Sequence, residues 1–203
     1  MHRFRARLSS GTFRFFEGLV LSALMAALLT AGIVAVAIYL FFFVFFPIGR
    51  GAIYDPSSRA EADVMARIAE VRPGEKAADL GSGDGRVVCA LARAGAEAHG
   101  YEINPVLVLI SRRNIRREGL AGRAFIHWGN FWRRRLSGYS LITTFQVGFV
   151  MARMEAKLAR ELAPGSRIVS HYWRFPGLQP EQSQGNIYRY RIADPARRTT
   201  SRT

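Results

Sequence analysis

The sequence predicts an α/β fold, a mostly parallel sheet with helices on both faces, attached to an N-terminal membrane-anchor helix. Three observations predict it. Short apolar runs alternate with segments of helical period, the pattern of strands joined by crossover helices. A glycine-rich turn, "DLGSGDGR" at 79–86, joins the first of those strands to the first of those helices. No residue between Glu17 and Arg50 carries a charge.

The elements follow in chain order. Residues 1–17 are a basic N-terminal segment with Arg3, Arg5, Arg7 and Arg14, and 18–49 form the anchor. As a helix the uncharged run would be roughly 48 Å long, against about 30 Å for a bilayer core. A signal peptide would have an apolar region of about 7–15 residues ending at small side chains. This run is longer and finishes in Phe41-Phe42-Phe43-Val44-Phe45-Phe46. Residues 50–75 comprise a linker and a helix ahead of the main domain. Residues 47–58 are rich in Gly, Pro and Ser, whereas 59–70 repeat Ala62, Met65, Ile68 and Ala69 at helical spacing, up to Pro73-Gly74.

The main domain is expected over 76–193. "KAADL" reads as a buried strand, and "RVVCALARAG" as a helix closed by Gly95. "AEAHGYEI" is the second strand. "PVLVLISRRNIRREG" is a helix with Pro105 in its first turn and Gly119 as its stop. "AFIHWGN" and "YSLITTFQ" are the third and fourth strands, followed by the helix "FVMARMEAKLARELAPG". "SRIVSHYW" is the fifth strand and "NIYRYRI" a late one. Residues 194–203 form a polar tail.

The formal net charge is +14, carried almost wholly by arginine, since Lys76 and Lys157 are the only lysines. Basic stretches at "RREGLAGR" and Trp132 to Arg135 suit a solvated surface, an anionic lipid bilayer or an acidic partner. The one cysteine, Cys89, excludes a disulfide framework within the chain and a multi-cysteine metal site, and the histidines have no metal-ligand spacing, so no metal is expected.

A strand, a glycine-rich turn and a helix make a cofactor site at the carboxyl end of a parallel sheet. The spacing Gly81-x-Gly83-x-Gly85 brings the third glycine one residue too early for the dinucleotide fingerprint, and no Gly-Lys-Ser/Thr follows. Asp79 stands where a pyrophosphate would be repelled and a cationic ligand would be favoured. S-adenosylmethionine carries a sulfonium and an ammonium and no phosphate. At the next strand end Glu102 can accept both hydroxyls of an adenosine ribose, as an acid does for an NAD ribose. The residues expected to bind the cofactor are therefore Asp79, Gly81, Ser82, Gly83, Gly85 and Glu102, with Asn130 at the third strand end facing the adenine edge.

These residues resemble the Rossmann-like class I S-adenosylmethionine-dependent methyltransferases. The likeness is greatest to the membrane-anchored lysine methyltransferases related to those that modify the c subunit of ATP synthase and the adenine nucleotide translocase. It rests on "DLGSGDGRVV", "GYEINPVLV" with "SRRN", "MEAKLARELAPGSRIVS", Arg174-Phe175-Pro176 and the entry motif Tyr54-Asp55-Pro56-Ser57. The resemblance implies a seven-stranded sheet, S-adenosylmethionine as methyl donor and a protein lysine as acceptor. Two positions depart from the family's pattern: Asn130 and Ser140 stand where the family has acids. The departures are expected to bear on affinity and substrate.

An amine acceptor must lose a proton before it attacks, and an apolar channel favours its neutral form. Tyr54, Phe145, Tyr172 and Trp173 are the candidates for that channel, and Tyr54 and His171 the candidates for a catalytic role. Nucleic acid is the less favoured partner, because "TFQVGF" follows the fourth strand in place of an Asn/Asp-Pro-Pro-Tyr/Phe pattern. Two other functions compete: methylation of a lipid or other hydrophobic small molecule, and S-adenosylmethionine binding without catalysis. The four leading arginines favour a cytoplasmic N-terminus. The cofactor is cytosolic, so the catalytic domain is expected on the cytoplasmic side of the inner membrane. A re-entrant hairpin at Gly32 would satisfy both.

Overall fold

The computed structural model describes residues 2–41 and 57–193, with side chains of the first helix described from Arg14 onward. The chain divides into two units at residues 42 and 43. The first is one helix, α1 (His2–Leu40). Its stretch Arg14–Leu40 is 27 residues long with a mean hydropathy of 2.5, and its described side chains are exposed all round. Length and composition suit a membrane crossing. The helix continues through Gly32, so the hairpin expected there does not form.

In the second unit α2 (Arg59–Ile68) starts at Ser58, whose hydroxyl accepts from the Glu61 N–H while the Glu61 carboxylate accepts from the Ser58 N–H. Such a capping box satisfies two backbone donors that a helix start leaves over. Then follow β1 (Lys76–Leu80), α3 (Arg86–Arg93), β2 (Glu97–Glu102), α4 (Pro105–Arg117), β3 (Ala124–Trp128), β4 (Leu141–Thr144), α5 (Met151–Glu161), β5 (Arg167–His171), β6 (Gln182–Gln184) and β7 (Ile187–Arg191). Single 3₁₀ turns lie at Phe131–Arg133 and Gly148–Val150.

The strands form one seven-stranded sheet in the order β3-β2-β1-β4-β5-β7-β6. β1 to β5 are parallel, and β7 runs antiparallel to both β5 and β6. The strand order reverses between β1 and β4, which opens a crevice at their carboxyl ends. β6 was not apparent in the sequence: its three residues are polar and exposed, so no apolar alternation marks it. Two cores cover the two sheet faces. Val88, Leu91, Val108, Ile115 and Ile126 belong to one; Leu80, Ile142, Met154, Leu158 and Tyr190 belong to the other. Arg167, buried in β5, pairs with Glu75 and donates to the carbonyls of Ala69 and Glu70, which ties the end of α2 to the sheet.

Candidate active site

The parallel register aligns the strand ends. Asp79 of β1 lies beside Gly100 of β2 and Thr143 of β4, and Leu80 beside Thr144. The chain then turns through Gly81, Gly83 and Gly85, each with a positive φ (84°, 55° and 82°). Two of these glycines are also pressed from outside. A Cβ on Gly81 would stand 2.5 Å from Gln146 Nε2, and one on Gly85 would stand 3.0 Å from the Ser111 Cβ of α4. Glycine is thus required for both conformation and clearance.

The loop is held by hydrogen bonds on every side. Glu102 accepts from the Gly83 N–H at 2.9 Å with one oxygen and from the Asn104 N–H at 2.7 Å with the other. Ser111 Oγ lies 2.7 Å from the Gly83 carbonyl, and Asn114 Nδ2 donates to the Asp84 carbonyl at 3.0 Å. Gln146 Nε2 donates to the Leu80 carbonyl at 2.9 Å. Asp84 pairs with Arg86, whose guanidinium also donates to the Ser57 carbonyl. The segment leading into α2 is thereby joined to the glycine loop.

Both acids at the strand ends are buried. Burial pushes Asp79 up to about 7, opposed by a hydrogen bond from Thr143 Oγ1 at 2.8 Å and reinforced by the charges of Glu102 and Asp84. Burial raises Glu102 as well, against the backbone N–H groups that bond it. Among the described residues neither acid has a cationic side-chain partner. Two desolvated carboxylates that repel each other are unfavourable alone, and a cationic ligand between them would relieve both. With three backbone N–H groups on a carboxylate that offers about four acceptor positions, Glu102 keeps acceptor capacity for a ribose hydroxyl. The donor set fits S-adenosylmethionine and disfavours a phosphate.

The remaining expected residues divide. Asn130, two residues beyond the end of β3, is half-buried, accepts from the Trp132 N–H at 2.9 Å and caps a 3₁₀ turn. Ser82 lies in the loop, but its buried hydroxyl has no partner and is aimed back at Gly100 of β2. Phe145 and His171 lie together, ring centroids 4.5 Å apart, at the ends of β4 and β5. His171 Nδ1 is 2.8 Å from Ser57 Oγ and Nε2 is 3.4 Å from Glu61, so both ring nitrogens are engaged by the residues that start α2. Tyr172 adopts a φ of 68°, rare for a side chain of that size, with its N–H on the Asn186 carbonyl. Trp173 packs edge-on to Tyr172 and lies over Gly148, where a Cβ would meet the indole at 2.8 Å. Tyr54 lies outside the described residues. Ser140 was expected to bear on affinity and substrate; it sits at the opposite end of β4, bonded to Glu75 and Lys76, away from the carboxylates. Gln146, Thr143 and Ser111 were missed. Gln146 carried a usable signal, as a polar side chain inside the apolar stretch after β4.

The fold is that of the class I S-adenosylmethionine-dependent methyltransferases. The family model of the ANTKMT methyltransferase domain matches residues 79–182, and the chain belongs to that family. A lysine N-methyltransferase of Rattus norvegicus, named for the c subunit of ATP synthase, is 36% identical over 130 residues, 64% of this chain and 60% of that relative. The chain therefore matches less than two thirds of that relative's length. A protein-lysine N-methyltransferase of Saccharolobus islandicus is 34% identical over 131 residues, 64% of this chain and 81% of the relative. An RNA methyltransferase of Salinibacter ruber, solved with S-adenosyl-L-homocysteine, superposes with a TM-score of 0.67 at 29% identity, covering 69% of this chain and 95% of that one.

Proposed function

We propose that this protein is a membrane-anchored methyltransferase that moves a methyl group from S-adenosylmethionine to a lysine side chain of a membrane-associated protein. The observation that carries the reading is the pair of buried carboxylates around a glycine loop, in a chain whose relatives are named for lysine methylation. The apolar helix α1 supports the membrane setting, and the domain is assigned to the cytoplasmic side, where the donor is made. The boundaries 1–17, 18–49, 50–75, 76–193 and 194–203 describe the working parts.

When bound, the cofactor supplies an electrophilic methyl on a sulfonium, so the protein has chiefly to position and desolvate. Asp79 holds negative charge for the cationic end of the donor, and Glu102 accepts from the ribose. Asn130 offers its amide to the adenine edge. Gln146 and Ser111 keep the loop in its ligand-ready form. Phe145, Tyr172 and Trp173 wall the acceptor side, where their apolar surface favours the neutral amine of an incoming lysine. His171, held by Ser57 and Glu61, orients the Phe145 ring. Tyr54 is assigned to the same wall from its motif.

A second reading, RNA as acceptor, is favoured by the Salinibacter ruber relative and the arginine-rich surface. One experiment separates them. The full chain is incubated with membranes, RNA and methyl-labelled donor, and protein, lipid and RNA are then resolved. The lysine reading expects label in protein, at lysine by mass spectrometry. Label confined to lipid or RNA would overturn it, and no label in any fraction would leave only cofactor binding.

A further inference from the structure

We propose that the outward face of α4, together with Trp128, docks the methyltransferase domain onto an anionic lipid surface. α4 buries Leu107, Val108, Ser111 and Ile115 and turns the rest of its circumference outward. That outward arc carries Leu109 and Ile110, 66% and 38% exposed, and the arginines at 112, 113, 116 and 117. The helix holds no acid. The next residue, Glu118, is paired with Arg93.

Trp128 extends this face. Along β3, Ala124, Ile126 and Trp128 share one side of the strand, the side on which α4 packs. The Trp128 indole N–H donates to the Ile103 carbonyl at 3.0 Å, which sets the ring beside the first turn of α4 with 63% of the residue exposed. Arg112 reaches from α4 to the Ile126 carbonyl at 3.1 Å. The helix face and the tryptophan therefore form one surface, which starts at the crevice end of the sheet with Trp128 and runs along α4 to Arg116 and Arg117 near the amino ends of the strands.

Its chemistry selects the partner. Aliphatic side chains flanked by a tryptophan and arginines match the boundary between headgroups and acyl chains: the apolar groups enter, the indole stays at the interface and the guanidinium groups meet phosphates. From 103 to 138 the sequence has eight arginines, all exposed, and Glu118 as its sole acid. RNA would match that charge and could stack on Trp128, but it gives the exposed aliphatic side chains of Leu109 and Ile110 no apolar partner, whereas acyl chains do. The anionic bilayer is the better complement.

The test reads this face by itself, without methyl transfer, so it stands or falls separately from the activity. The full chain is placed in phosphatidylcholine nanodiscs with or without phosphatidylglycerol, and comigration with the discs scores insertion of α1. A nitroxide is attached at Leu109→Cys or, as a control on the far sheet edge, at Ser183→Cys. Cys89 does not compete, because burial holds its thiol up to about 11. We expect the label at 109 to lose access to a water-soluble relaxant in anionic discs only, with the label at 183 unaffected. Arg113→Glu with Arg116→Glu should restore access, each arginine being worth about fivefold in the docked population. A label at 109 as accessible as that at 183 in both lipids would overturn the proposal. So would equal protection in neutral and anionic discs, or protection by a mixed-sequence RNA oligonucleotide in place of lipid.

Discussion

The two halves of the crevice are built by opposite means. On the β1–β2 side every element is tied to another: Glu102 to two backbone N–H groups, Ser111 and Asn114 to the glycine loop, Gln146 across to Leu80. On the β4–β5 side the walls are aromatic rings, Tyr172 and Trp173 are substantially exposed, and Tyr172 is held in an uncommon backbone region. The difference teaches which partner is constant. A cofactor of fixed shape rewards a rigid, hydrogen-bonded cradle, whereas a macromolecular acceptor brings its own surface and needs an open, apolar approach.

Breaking the rigid half should have the largest effect. Glu102→Ala leaves the Gly83 and Asn104 N–H groups buried without an acceptor, at about 1–3 kcal/mol each. Denaturant unfolding of the detergent-solubilised chain should show that loss, and calorimetry should show no cofactor binding. Glu102→Gln keeps an acceptor for only one of the two N–H groups, so it should recover no more than about half of the lost stability while binding remains weak. Equal stability of Glu102→Ala and the parent would show that the cradle is not held this way.

Asp79 separates binding from stability. Its carboxyl moves from an ordinary 3.8 to about 7 on folding. The folded chain therefore keeps a proton that the unfolded chain releases, and stability falls as pH rises from about 4 to about 7. Asp79→Asn removes this loss. The variant should gain in melting temperature over the parent as pH rises through that window, with a constant advantage above it. Its affinity for S-adenosylmethionine should drop roughly tenfold to a hundredfold, as expected for a lost charged contact. Parent affinity should itself rise with pH up to about 7. A variant that melts below the parent at pH 8 would contradict the assignment.

Two smaller effects sharpen the contrast. Gln146→Ala removes the bond to Leu80 and the cover over Gly81, and should cost about 1 kcal/mol together with a measurable rise in the cofactor dissociation constant. Trp173→Ala, on the open side, should leave cofactor affinity unchanged and raise KM for the proposed protein acceptor, with stability lowered by no more than about 1 kcal/mol. A loss of cofactor binding in Trp173→Ala would erase the distinction between the halves.

Local chemistry determined much of this protein from the sequence alone. Glycine spacing marks where the backbone must turn left-handed, an acid at a strand end marks a cationic ligand, and Pro105 and Gly119 bracket a helix whatever surrounds it. Periodicity located five parallel strands and the apolar helix α1 because each pattern repeats within a few residues. Only the tertiary structure decided what depends on contacts between distant segments. Glu102, expected to bind the ribose, proved to be a support for the glycine loop, because the Gly83 N–H comes within 2.9 Å of its carboxylate. Ser140 proved remote because it opens β4, while the site gathers where the parallel strands end. β6, with no apolar residue, exists only because β7 offers it an edge to pair with.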